Sequence, residues 1–405
     1  MGYSKKFLTG ISWLWALNLS SKAVSFLTSI LIARILTPSE FGVYGVAILV
    51  MALLEILTET GINVVIIQEK NNLEKYINSA WIVSIIRGLV IFLLILLLAP
   101  VVSSFFNADE ILNLMVIISL VPLLRGFINP AEIKFQKDLN FHKEFLYRFV
   151  ILVFGFIVAL IFLTLTQSVV SLALGLIASS LLQIFLSFQF ISPKPRLSIE
   201  KGYFSKILNK GKWVTLSGIF NYLFHNFDNI VVGRLLGTYS LGLYEMAYKI
   251  SMLPITGIAD VISKVTFPVY SKIADDKKRL RNAFIKTLIS VSLIILPFGV
   301  ILISFPKEIV EITLGSKWLG MVEVLRILVI FGVIRAISGL SSALFLSVGK
   351  QKYVTIVTLV SIIGLALTVV PLVINLGIFG AGLSALVGSL VALPFMIYFS
   401  VKILK

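Results

Sequence analysis

The chain has 405 residues, of which 58% are hydrophobic and only 13% charged, with a mean hydropathy of +1.03. Soluble domains carry about 25% charged residues, so a soluble enzyme or binding module is excluded. The formal net charge is +16, and the complete absence of cysteine excludes a disulfide framework and thiolate metal sites.

In chain order, the apolar runs predict twelve membrane spans. They cover about 10–36, 41–67, 78–106, 112–133, 143–165, 168–191, 212–236, 241–266, 284–304, 322–348, 353–374 and 378–401. A run of roughly 20 apolar residues crosses a bilayer as a helix, and hydrocarbon leaves the backbone no water to bond, so these runs should be helical. The first run is too long for the core of a signal peptide and lacks a small-residue cleavage site, so it reads as a span. Connections are short except at 134–142, 192–211, 267–283 and 305–321, and none is long enough for a soluble domain.

The chain repeats itself. Residues 10–47, a long apolar helix, a charged corner at Arg34 to Glu40 and the start of a second helix, recur 200 residues later. At that one register Trp13 falls on Trp213, Arg34 on Arg234, Leu36 on Leu236, Gly42 on Gly242, Tyr44 on Tyr244 and Ala47 on Ala247. Internal repeats of this length are how many transporters are built. The expected fold is therefore an all-α polytopic membrane protein of twelve transmembrane helices in two pseudo-symmetric six-helix lobes. The lobes are 1–191 and 212–405, joined by a basic linker at 192–211. Within the linker Ile199, Tyr203 and Ile207 recur every four residues while Lys201, Lys206 and Lys210 fall elsewhere. That pattern suits either a short helix lying on anionic phospholipid or a solvated basic strand of chain.

Charge orients the chain. The termini and even-numbered connections hold 25 of the 35 basic residues, while the other side has only Arg34, Arg234, Lys307 and Lys317. The basic side is cytoplasmic by the positive-inside rule, which places both termini there. This asymmetry accounts for most of the net charge, so no nucleic-acid partner is needed.

Six basic residues lie inside spans: Lys22, Arg87, Arg125, Lys249, Arg326 and Arg335. A charge there costs a few kcal/mol or more, so it faces a partner or a watery cavity. Arg87 and Glu59 match in depth at roughly 12 Å from the cytoplasmic face, which predicts a structural ion pair of Arg87 with Glu59 or Glu55. Lys249 matches Asp228 in depth, with Glu245, one turn earlier, competing for it. Arg125 and Arg335 fall mid-span in ISLVPLLRGFINP and LVIFGVIRAISGL, at an offset of 210, so the second copy carries about ten extra residues, placed in the 305–321 loop. Neither has an obvious acidic neighbour in its own helix. A cavity for an anion explains them, and so does hidden pairing with Glu55 or a backbone carbonyl. Lys22 and the corner residues Arg34 and Arg234 join them as candidate cationic lining. Asn18, Lys22, Ser25 and Ser29 form a polar stripe on span one; Asn221, His225 and Asp228 form one on span seven. His225 and Asp228 on one face are candidates for proton coupling, against the plainer reading of a satisfied histidine.

ARILTPSEFGVYGVA and GRLLGTYSLGLYEMAYKISMLPITGIADVISKVTFPVYSKIADDKKRLRNAF carry a family resemblance. They include Leu241–Gly242–Leu243–Tyr244, Ala247–Tyr248, Pro254 and the Phe267–Pro268 turn before a basic loop. The chain resembles the polysaccharide-transporter (Wzx-type oligosaccharide and lipopolysaccharide flippase) family. That family is a branch of the multidrug/oligosaccharidyl-lipid/polysaccharide (MOP) exporter superfamily, which includes the MATE drug exporters. The resemblance implies flipping of an undecaprenyl-pyrophosphate-linked oligosaccharide from the cytoplasmic to the outer leaflet of the cell inner membrane, by alternating access and without a cofactor. It also implies the polysaccharide polymerase machinery as a further partner, as in O-antigen and lipopolysaccharide synthesis.

Three rival functions remain, of which a purely structural or scaffolding membrane protein is opposed by the mid-span charges. A MATE-like drug exporter would share the lobes but call for more acids than arginines in its cavity. A membrane polymerase or glycosyltransferase would need a large outer loop or an acidic metal motif. Here the outer loops are short, the only histidines are His142 and His225, and Asp275–Asp276 sits in a basic loop.

Overall fold

The computed structural model describes residues 3–62, 66–67, 73–198 and 201–405, and among them the chain is helical with no strand. Among the described residues seven helices are long and apolar enough to cross a membrane, or eight if one bent pair is a single span. The protein is thus a multi-pass, all-helical membrane protein.

Two compact units divide the chain, Met1–Asn226 and Phe227–Lys405. The first holds α1 (Tyr3–Ile35), α2 (Pro38–Leu57), α3 (Leu73–Phe106), α4 (Glu110–Ile118), α5 (Leu120–Gly126), a 3₁₀ turn at Pro130–Ile133, α6 (Lys134–Lys137), α7 (Phe141–Thr166), α8 (Val170–Phe190) and the start of α9 (Lys201–Lys272). The second holds the rest of α9, then α10 (Lys277–Ser304), α11 (Pro306–Thr313), a 3₁₀ turn at Ser316–Met321, α12 (Val322–Ser347) and α13 (Gln351–Leu404).

The two repeated corners turn by different chemistry. At the first, the Thr37 hydroxyl accepts from the Glu40 amide and Glu40 accepts back from the Thr37 amide, with Pro38 opening α2. That capping box satisfies two orphan donors at once. The second corner has Gly237 where the first has Thr37, and turns through φ 82°, ψ 177°, a region that favours glycine. Gly377 (φ 61°) breaks α13 in the same manner. Each of these long helices is therefore two segments, parting close to the predicted gaps at 237–240 and 375–377.

Two predicted spans need correction. Span two was expected to run to residue 67, but α2 ends at Leu57 and the backbone unwinds over Thr58 to Gly61. The cause is Arg87, whose Nη2 donates to the Glu55 carbonyl at 2.6 Å. A continuing helix would give that carbonyl to the Glu59 amide, which bonds the Ile56 carbonyl at 3.1 Å instead. Span four was expected as one helix over 112–133. It is α4, α5 and the 3₁₀ turn, with a 70° bend after Gly126. Pro130 lacks an N–H and holds Asn129 extended (ψ 112°), so the helix cannot continue. The Asn129 side chain tidies the break, accepting from the Ala131 amide at 2.9 Å and donating to the Pro193 carbonyl at 3.1 Å.

The second copy's extra residues lie where α10 and α12 meet. The helix ends correspond at 304 − 106 = 198 and the next helix starts at 322 − 110 = 212, so 305–321 absorbs the difference as α11 and its 3₁₀ turn.

Helices cross at glycines. A Cβ on Gly88 would lie 2.6 Å from the Pro122 carbonyl, and one on Gly126 2.8 Å from that of Ser84, so α3 and α5 touch backbone to backbone. Gly155 and Gly175 do the same for α7 and α8, and Gly364 and Gly388 for the two halves of α13. Without a hydrophobic drive between helices in lipid, such close approach supplies the van der Waals contact that holds them. Gly175→Leu is expected to destabilise the purified protein by about 1–3 kcal/mol. Thermal unfolding in detergent checks this, against Leu165→Ala at an exposed site as the neutral control.

Candidate functional site

Four of the six embedded basic residues sit beside acids, Arg87 and Arg125 in the first unit and Lys249 and Arg335 in the second. In the first, Arg125 closes α5 at its last turn, beside the bend. Its Nη1 donates to Glu55 Oε1 at 2.8 Å, with side-chain exposures of 39% and 29%. The expectation that Arg125 has no acidic neighbour holds only for its own helix; the partner comes from α2. Arg87, from α3, lies 3.6 Å from Glu59 Oε2, and its Nε donates to the Thr58 hydroxyl at 3.1 Å. Glu59 in turn accepts from the Gly61 amide at 3.3 Å, which steadies the unwound turn. Two bases thus face two acids, and the cluster is neutral when all four are ionised.

The second unit repeats that balance with other residues. Asp228 is buried, accepting from the Tyr244 hydroxyl at 2.7 Å and from the Asn229 amide at 2.9 Å. Arg335, in the middle of α12, donates from Nη1 to the Tyr248 hydroxyl at 2.6 Å and stands 5.9 Å over the Phe331 ring. Tyr244 and Tyr248, whose hydroxyls bond Asp228 and Arg335, are ring neighbours at 6.3 Å on α9, and Glu245 lies one turn before Lys249 on the same helix. Depth had matched Lys249 to Asp228 as well; the hydrogen bond to Asp228 instead comes from Tyr244, a partner that charge counting passes over.

The remaining predicted residues are spread more widely. On α1 Lys22 is half-buried, Ser29 buried and Ser25 exposed, while Arg34 and Arg234 are exposed at their corners. His225 is exposed although Asp228, one turn on, is buried, so the two face different surroundings. The side chains of Asn18, Asn221, Trp213 and Pro254, and those of the linker from Ile199 to Lys210, lie outside the described residues. Arg326 pairs with Glu323 on its own helix at 3.0 Å. No group of three metal-ligating side chains occurs among the described residues.

Chemically, the two mid-span arginines share one property. Among the described residues each guanidinium makes a single hydrogen bond, through Nη1. A guanidinium has five N–H donors in a planar fork, so most of its capacity to bind phosphate or carboxylate oxygens is uncommitted.

Comparison with known proteins agrees with this architecture. An "Uncharacterized membrane protein in cps region" of Klebsiella pneumoniae is 28% identical over 87% of this chain and 73% of its own length. "Lipopolysaccharide biosynthesis protein WzxC" of Escherichia coli (strain K12) is 25% identical over 83% of this chain and 69% of its own. Among solved structures, "Lipid II flippase MurJ, inward closed conformation" superposes with a TM-score of 0.76 over 96% of this chain and 87% of that one; at 16% identity this establishes a shared fold. The family described as "Polysaccharide biosynthesis protein" matches residues 31–323, well over half of the chain. The protein therefore belongs to that family of polysaccharide biosynthesis proteins.

Proposed function

We propose that this protein is a flippase for a polyprenyl-pyrophosphate-linked oligosaccharide, moving it from the cytoplasmic to the outer leaflet. Family membership supports the class of substrate. The observation that carries the chemistry is the pair of mid-span arginines, each with one hydrogen-bond partner and the rest of its fork open. Arginine stays charged at any physiological pH, so such a site retains its pull on a diphosphate throughout the cycle. Favourable contacts of this kind replace part of the hydration that the diphosphate loses as it crosses, while the prenyl tail stays in lipid.

In this reading Arg125 and Arg335, with Lys22, line a cationic pathway, and Arg34 and Arg234 stand at its outer corners. Twelve spans in two six-helix lobes, 1–191 and 212–405 with the basic linker 192–211 between them, would provide alternating access. The cytoplasmic lysines and arginines would rest on anionic phospholipid, and polymerase machinery would receive the flipped unit. Arg87 and Glu59 serve to tie α3 to the end of α2, and Lys249 with Glu245 serves similarly in the second unit. His225 and Asp228 are the candidate coupling groups.

Two measurements test this. Arg125→Gln or Arg335→Gln should weaken binding of the diphosphate-linked lipid roughly tenfold or more while barely changing binding of a neutral glycolipid, and the lysine variants should restore part of the loss. A wild-type protein that binds a cationic dye and no diphosphate would move the function to drug export. Topology is open to labelling because the chain has no cysteine of its own. Single cysteines at Lys5 and Lys405 should react with an impermeant maleimide only when the cytoplasmic face is opened, and one at Lys317 should react in intact cells.

A further inference from the structure

Glu55 holds both embedded arginines of the first unit. Its carboxylate accepts from Arg125 and its own backbone carbonyl accepts from Arg87. The bases and acids come from different bodies. Arg87 and Arg125 stand on α3 and α5, which Gly88 and Gly126 bring into direct backbone contact. Glu55 lies in the last turn of α2, and Glu59 in the unwound stretch that follows. An electrostatic seam therefore runs between the α3–α5 block and the frayed end of α2.

The two bonds across that seam differ in kind. Arg87 is anchored three times, to the Glu55 carbonyl, the Thr58 hydroxyl and Glu59. Arg125 is joined end-on, one N–H to one carboxylate oxygen, and both side chains of that pair are partly open. Arginine binds carboxylate or phosphate most strongly through two parallel bonds. A diphosphate brings more negative charge and more acceptor oxygens than Glu55 does, and the open edge of the Arg125 fork gives it a place to start.

We propose that Glu55 is a built-in competitor for the substrate's diphosphate at Arg125. Carboxylate and diphosphate take turns on the same guanidinium, so that anion binding and the α2–α5 contact exclude each other. This rests on the reading of Arg125 as an anion-binding group. It gives the transport cycle what a purely cationic site lacks. When Glu55 holds Arg125, the cluster of Arg87, Arg125, Glu55 and Glu59 is neutral, which limits the cost of carrying bare charges in the membrane. As Glu55 returns, it displaces the anion and assists its departure. Arg87, anchored three times, keeps the end of α2 tethered throughout.

The test uses the full chain in lipid nanodiscs, with farnesyl pyrophosphate as the charged probe and farnesol as its uncharged counterpart. Glu55→Gln preserves shape and removes the competing charge. It should bind farnesyl pyrophosphate about tenfold tighter than wild type, leave farnesol binding unchanged, and flip lipid-linked substrate more slowly because release loses its assistance. If Glu55 only props the helices, the variant will bind the diphosphate equally or more weakly, and that result overturns the proposal. Should Glu55→Gln fail to fold, Glu55→Asp serves instead. It keeps the charge but shortens the reach by one methylene, so tighter binding is again expected, and equal or weaker binding overturns the idea. The outcomes separate the two levels of inference. A wild type that ignores farnesyl pyrophosphate, or an Arg125→Gln protein that binds it as well as wild type, removes the flippase reading and this proposal together. Loss of binding in Arg125→Gln with no change in Glu55→Gln removes only the competition.

Discussion

Hydrocarbon offers a polar group no partner, and an unsatisfied one costs several kcal/mol, so embedded donors, acceptors and charges are driven toward partners inside the protein or toward a watery cavity. In the first unit that requirement sets where helices end. Arg87 takes the carbonyl of Glu55 and the hydroxyl of Thr58, and α2 stops there because its next turn has lost its acceptor. At the bend in span four, the backbone freed by Pro130 is received by Asn129, and the Phe127 carbonyl accepts from the indole of Trp81 at 3.1 Å. Irregular backbone at these points is possible only because side chains from neighbouring helices close the account of hydrogen bonds.

The same requirement reshapes the meaning of the embedded cations. An arginine inside a membrane invites the idea of a bare positive cavity, but here each cluster carries two acids against two bases. Glu55 and Glu59 face Arg87 and Arg125, while Asp228 and Glu245 share the second unit with Lys249 and Arg335. What marks Arg125 and Arg335 is the incompleteness of their pairing. One bond apiece leaves most of a guanidinium available, whereas Arg87 has three partners and little left to offer. Partner count therefore separates a scaffold arginine from a candidate substrate arginine more sharply than depth does.

The two copies keep the outline of the repeat while differing in local chemistry. A threonine capping box turns the first corner and a left-handed glycine the second. Span four bends at Asn129–Pro130, whereas α12 runs unbroken from Val322 to Ser347. Close glycine crossings recur between the last two spans of each unit, at Gly155 with Gly175 and at Gly364 with Gly388. Backbone contact at that crossing tolerates no side chain, so it survives in both copies where a corner has several physical solutions.

Much of this was legible in the sequence because it depends on single segments. Apolar runs longer than a bilayer is thick must be helices, and the register shift from Trp13 to Trp213 exposes the repeat. The corner box at Thr37 and Glu40 and the break at Pro130 are also local, and their residues announce them. What only the tertiary structure decided is which groups meet across helices. From the sequence, pairing of Arg125 with Glu55, seventy residues earlier, stood only as one of two explanations, and nothing there says that Tyr244 would satisfy Asp228 while His225 faces elsewhere. Depth along a helix follows from counting at about 1.5 Å per residue, but the direction a side chain points and the neighbour it finds are set by how the helices rotate and cross. At the crossing of α3 and α5 that choice rests on two glycines, whose missing side chains leave no trace in a hydropathy pattern.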